Sequence, residues 1–241
     1  MCQRGQGTHD FIFVHISIIL ELFKGNRYGL ALGRCCPPAG RALTGALPDT
    51  SGSKDPMPRP ITTEVTYEQP QAADAARLSR FAIDAFIATY GQALGPAWAR
   101  RWASEGLGMP SLEKKLDDPR RWWRIAQCGN EIVGYAELRP GKAPEFVDAT
   151  GSMELGRLYV DPRWFGRGVG EALMAACHEQ ALSRGLGSMW LRVWAENTRA
   201  IAFYRRHGFG EAGWDTFDTD HGPAKSLYLQ RHLPGHPAKA T

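Results

Sequence analysis

The chain has 241 residues, of which 43% are hydrophobic, and eight of them are tryptophans, which is ample material for the core of one domain. Its net charge of +4 comes mostly from the start: residues 1–60 carry seven Lys and Arg against four Asp and Glu, leaving 22 against 21 in residues 61–241. A nearly neutral body gives no indication of the clustered basic face that a nucleic-acid-binding protein needs.

The first 60 residues give no domain signal. Residues 11–20 form an apolar run that is too short to span a membrane, and residues 25–60 are rich in Gly, Pro, Ala and Arg without a period. We expect residues 1–60 to be a disordered or spurious extension, with Met57 as the natural start; a secretory signal is the minority alternative. One domain is predicted over residues 61–234, followed by a tail at 235–241.

The cysteines and histidines indicate the redox compartment of the protein and whether a metal site is expected. The five cysteines are odd in number and irregularly spaced, which predicts no disulfide framework and favours a reducing cytoplasm. Cys128 and Cys177 are interpreted as small apolar fillers. Neither His207 nor His221 has metal-ligand spacing with any Cys, Asp or Glu cluster, so no metal is expected.

The first half of the domain reads as a strand, three helices and a hairpin. A long amphipathic helix is predicted from leucine and aromatic residues at helical spacing, and Gly129-Asn130 is typical of a tight hairpin turn. The alternation of Trp122 and Trp123 predicts one ring in the core and the other at the surface or on a substrate wall. The predicted elements are strand Thr62–Tyr67, helices Ala72–Tyr90, Pro96–Glu105 and Ser111–Leu116, and strands Trp122–Cys128 and Ile132–Leu138.

The second half alternates strands and helices. A run with three aspartates, Asp215–Asp220, is either a solvated loop or the border of a pocket for a cationic amine. The predicted elements are strand Met153–Val160, helix Glu171–Arg184 ended by Gly185, strand Ser188–Trp194, helix Asn197–His207, and final strands around Gly210–Asp215 and Ala224–Gln230. The fold class is therefore α/β (α+β), with a central, mixed, mostly antiparallel twisted sheet of about seven strands and four to five helices.

The glycine turn Gly166-Arg-Gly-Val-Gly170 joins a strand to a helix. Three glycines at alternate positions leave backbone N–H groups free to surround an anion at the helix N-terminus, which predicts a diphosphate site. A P-loop is excluded because no Gly-Lys-Ser/Thr follows, and a Rossmann fingerprint is disfavoured because Glu171 follows Gly170. Taken alone, the glycines also fit a simple tight turn.

Three features in fixed order carry a family resemblance: the strand Glu154-Leu-Gly-Arg-Leu-Tyr-Val160, the glycine turn, and the segment Asn197-Thr-Arg-Ala-Ile-Ala-Phe-Tyr-Arg-Arg-His-Gly-Phe209. Together they resemble the GNAT superfamily of N-acetyltransferases, which use acetyl-CoA. The resemblance covers roughly residues 62–233, and the helical region Ala72–Leu116 is similar to that of the branch that acetylates polyamines and small amines.

The resemblance implies where the cofactor lies. The strand before the turn is bulged, with Gly156 as the natural place, and splays from the next strand, so that its backbone binds the pantetheine arm. The implied cofactor contacts are Leu158, Tyr159, Val160, Phe165, Gly166, Arg167, Gly168, Val169, Gly170, Asn197 and Tyr204. Phe165 is a departure, because family members usually carry Gln or Arg there. An Arg-x-x-Gly-x-Gly match from Arg163 lies two residues too early.

The resemblance also implies the chemistry. Acetyl passes directly to an amine, with backbone N–H near Leu158 stabilising the oxyanion and Tyr204 protonating the leaving thiolate. Glu154 is the first candidate base and Glu137 the second; Arg192 occupies the position where some members carry a glutamate. The partner is a small-molecule or peptide amine, with no nucleic acid and no membrane, and a homodimer through the C-terminal edge strands stays open. The alternative is a CoA-binding sensor or scaffold without turnover.

Overall fold

A computed structural model describes residues 64–234, so the predicted extension, Met57 and the tail lie outside the described residues. The elements in chain order are β1 Val65–Glu68, α1 Ala75–Tyr90, α2 Pro96–Leu107, α3 Met109–Leu116, β2 Trp122–Cys128, β3 Glu131–Arg139, β4 Ser152–Val160, α4 Val169–Ser183, β5 Ser188–Trp194, α5 Thr198–Arg206, β6 Gly210–Thr219 and β7 Gly222–His232.

The seven strands form one sheet in the order β1-β2-β3-β4-β5-β7-β6. Every neighbouring pair is antiparallel except β4 and β5, which run parallel. A parallel pair needs a crossover connection, and α4 supplies it. The predicted fold class, a mixed and mostly antiparallel sheet flanked by five helices, is confirmed.

Helices cover both faces of this sheet, and each face has its own core. On one face, α4 and α5 pack through residues such as Leu173, Cys177 and Ile201. On the other, α1, α2 and α3 pack through residues such as Leu78, Trp98 and Leu112. We call these the α4 face and the α1 face.

The prediction for the two adjacent tryptophans is wrong for one ring. Trp122 and Trp123 point to opposite faces, as expected from strand alternation, yet they are only 5% and 3% exposed. Trp122 lies in the α4-face core and Trp123 in the α1-face core. Because both faces are covered, neither ring reaches the surface.

The C-terminal hairpin is longer than predicted. The aspartate run from Asp215 is not a loop: β6 continues through it to Thr219 and pairs with β7 along its whole length. Its tip then contacts the loop before α2, where the Asp220 N–H donates to the carbonyl of Leu94. Within residues 64–234, no helix is long and apolar enough to cross a membrane.

Candidate active site

The parallel strands β4 and β5 separate after a short contact. Only Ser152, Met153 and Glu154 of β4 pair with β5, opposite Ser188–Trp190. Beyond them, Leu158–Val160 pairs with β3 but has no strand pairing with β5. The splay implied by the family resemblance is present, and it separates the two strands where an extended ligand can add to a sheet edge.

A β-bulge opens the gap at the predicted residue. In the β3–β4 register, Glu137 pairs with Arg157 and Leu138 with Leu155, so Gly156 is the extra residue. A Cβ at Gly156 would lie 2.8 Å from Cδ and Nε of Arg139, a distance that no real contact allows. The absence of a Cβ at Gly156 therefore permits the close approach of the Arg139 side chain to the bulge.

The glycine turn has the backbone conformation that its sequence predicts. Gly166 and Gly168 have φ of +69° and +80°, a region that L-residues rarely adopt. Gly168 is the N-cap of α4, and no side chain caps this helix end. The first N–H groups of α4 are thus left for another partner, as in known anion-binding helix termini.

A cavity of about 280 Å³ lies between the end of β4, the glycine turn and α5. Five predicted cofactor contacts line it: Leu158, Val160, Phe165, Gly166 and Gly170. The sequence reasoning missed the contribution of α5, which adds Arg199, Phe203 and Arg206 to the wall. The sequence could have indicated this contribution, because Arg199, Phe203 and Arg206 are spaced i, i+4 and i+7 and so share one face of the helix.

The other predicted contacts in this region lie outside the cavity wall. The side chain of Tyr159 is buried on the α1 face, stacked on Tyr135 with ring centroids 5.5 Å apart. Val169 is buried in the α4-face core. Arg167 is exposed, with Cζ 5.3 Å from the centroid of the Trp164 ring. The side chains of Tyr159 and Val169 therefore point away from the cavity, and only their backbone could contact a ligand at the turn.

Asn197 and Tyr204 are both fully buried. The Asn197 side chain accepts a hydrogen bond from the N–H of Ala200 at 3.1 Å, which confirms it as a helix cap. Burial, followed by the neighbouring Tyr159 and Tyr204, raises the pKa of Tyr90 well above its ordinary value. The Tyr90 hydroxyl approaches Asn197 and Tyr159, but neither contact has hydrogen-bond geometry. Tyr204 thus lies in a cluster of tyrosines.

The first candidate base, Glu154, is held in an ion pair. Its two carboxylate oxygens accept hydrogen bonds from Nε and Nη2 of Arg139 at 2.9 and 2.7 Å, and both side chains are 5% exposed. Because each carboxylate oxygen has two lone pairs, this bidentate contact still leaves acceptor sites on Glu154.

The second candidate, Glu137, is fully buried and bound by both Arg121 and Arg157. Burial alone would raise its pKa, but the charges of Arg157, Arg139 and Arg121 outweigh burial and lower the pKa of Glu137 below its usual range. A carboxylate with a lowered pKa is a weaker base than an ordinary one.

Arg192 lies on the α1 face of β5 and is 3% exposed. Its Nη2 donates to Asp215 at 2.7 Å, and the Tyr228 hydroxyl donates to the other oxygen of the same carboxylate at 2.8 Å. A cation therefore stands where some family members carry a glutamate. As for metals, residues 64–234 contain no group of three or more His, Cys, Asp or Glu side chains that could hold one.

A splayed parallel pair, a bulge on the first strand and a glycine turn that opens the next helix together define an acetyltransferase fold. The sequence matches the Acetyltransferase (GNAT) family over residues 83–209, more than half of the chain. The chain belongs to this family and is an acetyltransferase, which confirms the resemblance seen in the sequence.

Individual relatives agree with this assignment. An uncharacterized N-acetyltransferase of Mycobacterium tuberculosis is 32% identical over 144 residues, covering 60% of this chain and 88% of the relative. An aminoglycoside N(6')-acetyltransferase type 1 of Stenotrophomonas maltophilia is 32% identical over 128 residues, covering 48% and 82%. The crystal structure of the PaiA N-acetyltransferase of Thermoplasma acidophilum in complex with coenzyme A superimposes with a TM-score of 0.57 at 18% identity, covering 70% and 99%; it shows the shared fold.

Proposed function

We propose that this protein transfers the acetyl group of acetyl-CoA directly to a primary amine. The observation that carries the proposal is the separation of β4 from β5 beyond Glu154, beside a cavity that ends at the glycine turn. The pantetheine arm would extend β4 as an added strand, and the N–H groups of the turn and of the start of α4 would bind the diphosphate. The relative from Thermoplasma acidophilum, solved with coenzyme A, supports this choice of co-substrate.

Direct transfer fits the cysteines of the domain. Cys177 is fully buried, and burial raises the pKa of its thiol, so the thiolate needed for a covalent acetyl intermediate is disfavoured. Instead, the amine nitrogen would attack the thioester carbonyl, and the N–H of Leu158 or of a close neighbour would stabilise the oxyanion. The C–S bond then breaks, and Tyr204 would give its proton to the thiolate of CoA.

The amine must lose a proton before it can attack. With a pKa near 10.4, a lysine-like amine costs roughly 4 to 5 kcal/mol to deprotonate at pH 7. Glu154 stays our first candidate base: Arg139 fixes its carboxylate, and its remaining lone pairs can take the proton through a water molecule. Glu137 is the second candidate, with both oxygens engaged by arginines.

Release of free thiol from acetyl-CoA in the presence of a broad panel of amines tests this function. We expect Tyr204→Phe and Glu154→Gln to lower turnover by about tenfold to a thousandfold, the range for a lost acid or base. Tyr67→Phe, a partly exposed tyrosine on the edge strand β1, is the matched control and should keep full activity. Unchanged turnover in Glu154→Gln would show that Glu154 is not the general base.

A CoA-binding sensor without turnover is the alternative. Calorimetry with CoA separates the two: a sensor binds CoA but shows no amine-dependent thiol release with any member of the panel. The relatives that carry the name N-acetyltransferase favour the enzyme. A folded protein that shows no saturable binding of CoA would overturn both readings.

A further inference from the structure

Two buried arginines flank the gap between β4 and β5 on the α1 face. Arg157 directly follows the bulge on β4 and is 7% exposed, and Arg192 on β5 is 3% exposed. Glu154 lies opposite Trp190 in the parallel register, and the extra residue Gly156 then brings Arg157 level with Arg192. Leu158, the next residue along β4, lines the cavity that ends at the glycine turn. These two cations therefore border the place where the acceptor would meet the thioester.

The arginines around this gap are paired with carboxylates, and one buried lysine lies near them. Glu137 is shared by Arg121 and Arg157, and Asp215 forms an ion pair with Arg192. Burial, followed by the charge of Arg157, lowers the pKa of Lys115 to about 7, so this lysine adds positive charge below neutrality. The four arginines Arg121, Arg139, Arg157 and Arg192 are matched by four carboxylates, Asp118, Glu137, Glu154 and Asp215, so the positive charge of a protonated Lys115 is additional.

Two hydrogen-bond donors on β5 and β7 are buried without a partner. Among residues 64–234, neither Nε of Arg192 nor the hydroxyl of Ser226 has a hydrogen-bond partner. Arg192 lies opposite Tyr228 and Trp194 lies opposite Ser226 in the β5–β7 register, so Arg192 and Ser226 are diagonal neighbours on one face. Native proteins rarely bury unsatisfied polar atoms, and such atoms point to a water or a ligand. Both groups can donate, which suits the two oxygens of a carboxylate.

The same surroundings disfavour a polycation. A polyamine needs carboxylates that are free to bind it, but Asp215 is engaged by Arg192 and Tyr228, and the Asp220 carboxylate accepts from the N–H of Trp98 at 2.7 Å. Two of the three aspartates in the run that suggested an amine pocket are thus already used.

We propose that the acceptor is an amine that also carries a carboxylate, as an α-amino acid does, and that the carboxylate binds at Arg192 and Ser226 with Arg157 beside it. This inference rests on the proposed function and specifies the chemical class of its amine acceptor. In the reaction the amine nitrogen bonds to the acetyl carbon and loses one proton, the C–S bond breaks, and the thiolate of CoA gains a proton.

The test compares proteinogenic L-amino acids, each beside its own α-amide, with spermidine as the polycation, in the thiol-release assay. We expect at least one acid to exceed its amide by about tenfold in kcat/KM, the effect of one charge-assisted hydrogen-bonded contact. The amine of the amide is less basic than that of the acid, so more of it is unprotonated at a given pH. Basicity alone would therefore favour the amide over the acid. Amides or spermidine that match or exceed every acid would overturn the proposal.

Two variants locate the carboxylate. Arg192→Gln should bring the ratio of acid to amide close to one while the KM for acetyl-CoA stays unchanged, and Arg101→Gln, an exposed arginine on α2, should leave the ratio as it is. If Arg192→Gln does not fold, Ser226→Ala removes one donor without a change of charge and should lower the ratio several-fold. An unaltered ratio in the folded variants would refute this placement.

A binding measurement tests the class of acceptor without requiring turnover. In the complex with CoA, which has no acetyl group to transfer, the preferred amino acid should raise the Tm, whereas its amide at equal concentration should not. If no amine supports thiol release, the proposed function fails, while this comparison still decides the acceptor class. Equal shifts for acid and amide, or no shift with any acid, would overturn the proposal.

Discussion

The guanidinium carbon of Arg199 lies 3.7 Å from the centroid of the Phe165 ring. Phe165 is the one departure from the family pattern in the glycine turn, because a Gln or Arg usually stands there. Arg199 comes from the first turn of α5 and lines the same cavity as Phe165. Arg199 thus brings a positive charge to the glycine turn from α5. Phe165 can orient its guanidinium group through a cation–π contact.

Arg199→Ala is therefore expected to weaken CoA binding by about five- to tenfold, the scale of one exposed charge or cation–π contact. Arg205→Ala removes an equally exposed arginine of α5 that does not line the cavity and serves as the control. Calorimetry at two salt concentrations measures the effect, because loss of the charge should also reduce the dependence of affinity on salt. Equal affinities in the two variants would contradict the role of Arg199.

Gly168→Ala tests the conformation of the turn. A Cβ at Gly168 would meet nothing within 4 Å, so the substitution causes no clash, but φ of +80° is unfavourable for alanine by roughly 1 to 2 kcal/mol. We expect the free energy of unfolding in urea to fall by that amount and CoA affinity to fall with it. Gly210→Ala is the control, since its Cβ is equally unobstructed and its φ is not positive. Two variants of equal stability would show that the turn relaxes without strain.

Much of this site was predictable because its signals are local. Gly156 marks the bulge, Gly129-Asn130 the hairpin and Gly185, with φ of +67°, the end of α4. Each of these signals consists of one or two residues. The order of these features along the chain was specific enough to indicate the family before any contact was known.

The parts that were not predictable depend on residues far apart in the chain. Glu137 meets arginines 16 and 20 positions away, and Arg199 reaches Phe165 across the turn and α4. The strand β6 runs through aspartates that disfavour strands, because β7 offers it a partner over its whole length. Tertiary pairing decided these features, so neither composition nor periodicity could indicate them.

Asp220→Ala tests a helix cap that comes from the other end of the domain. The N-cap of α2 is Gly95, which has no capping side chain, and Asp220 at the tip of the β6–β7 hairpin accepts from the N–H of Trp98 instead. Loss of a cap costs about 1 kcal/mol, and thermal unfolding should register it. Asp218→Ala removes an exposed carboxylate from the same hairpin and should change stability little. Equal losses would mean that general charge, rather than the cap, stabilises the hairpin.

Lys115→Met should change how stability depends on pH. Burial, and then Arg157, lowers the pKa of Lys115 to about 7 in the folded protein, whereas an unfolded lysine has a pKa near 10.4. Between these two values the unfolded chain binds more protons than the folded one, so this group makes the protein more stable as pH rises. Below about pH 7 both states carry the proton, and the contribution of Lys115 to stability no longer changes.

The wild type should therefore gain about 2 kcal/mol relative to Lys115→Met between pH 7 and pH 9, measured by unfolding in urea at each pH. Methionine also loses the hydrogen bond that Lys115 donates to the carbonyl of Gly106. That loss lowers the free energy of unfolding by the same amount at every pH, so it does not change the pH dependence. Lys114→Met, at the exposed neighbouring position, should follow the wild type throughout. A difference between wild type and Lys115→Met that stays constant from pH 7 to pH 9 would show that Lys115 keeps its proton in the folded protein.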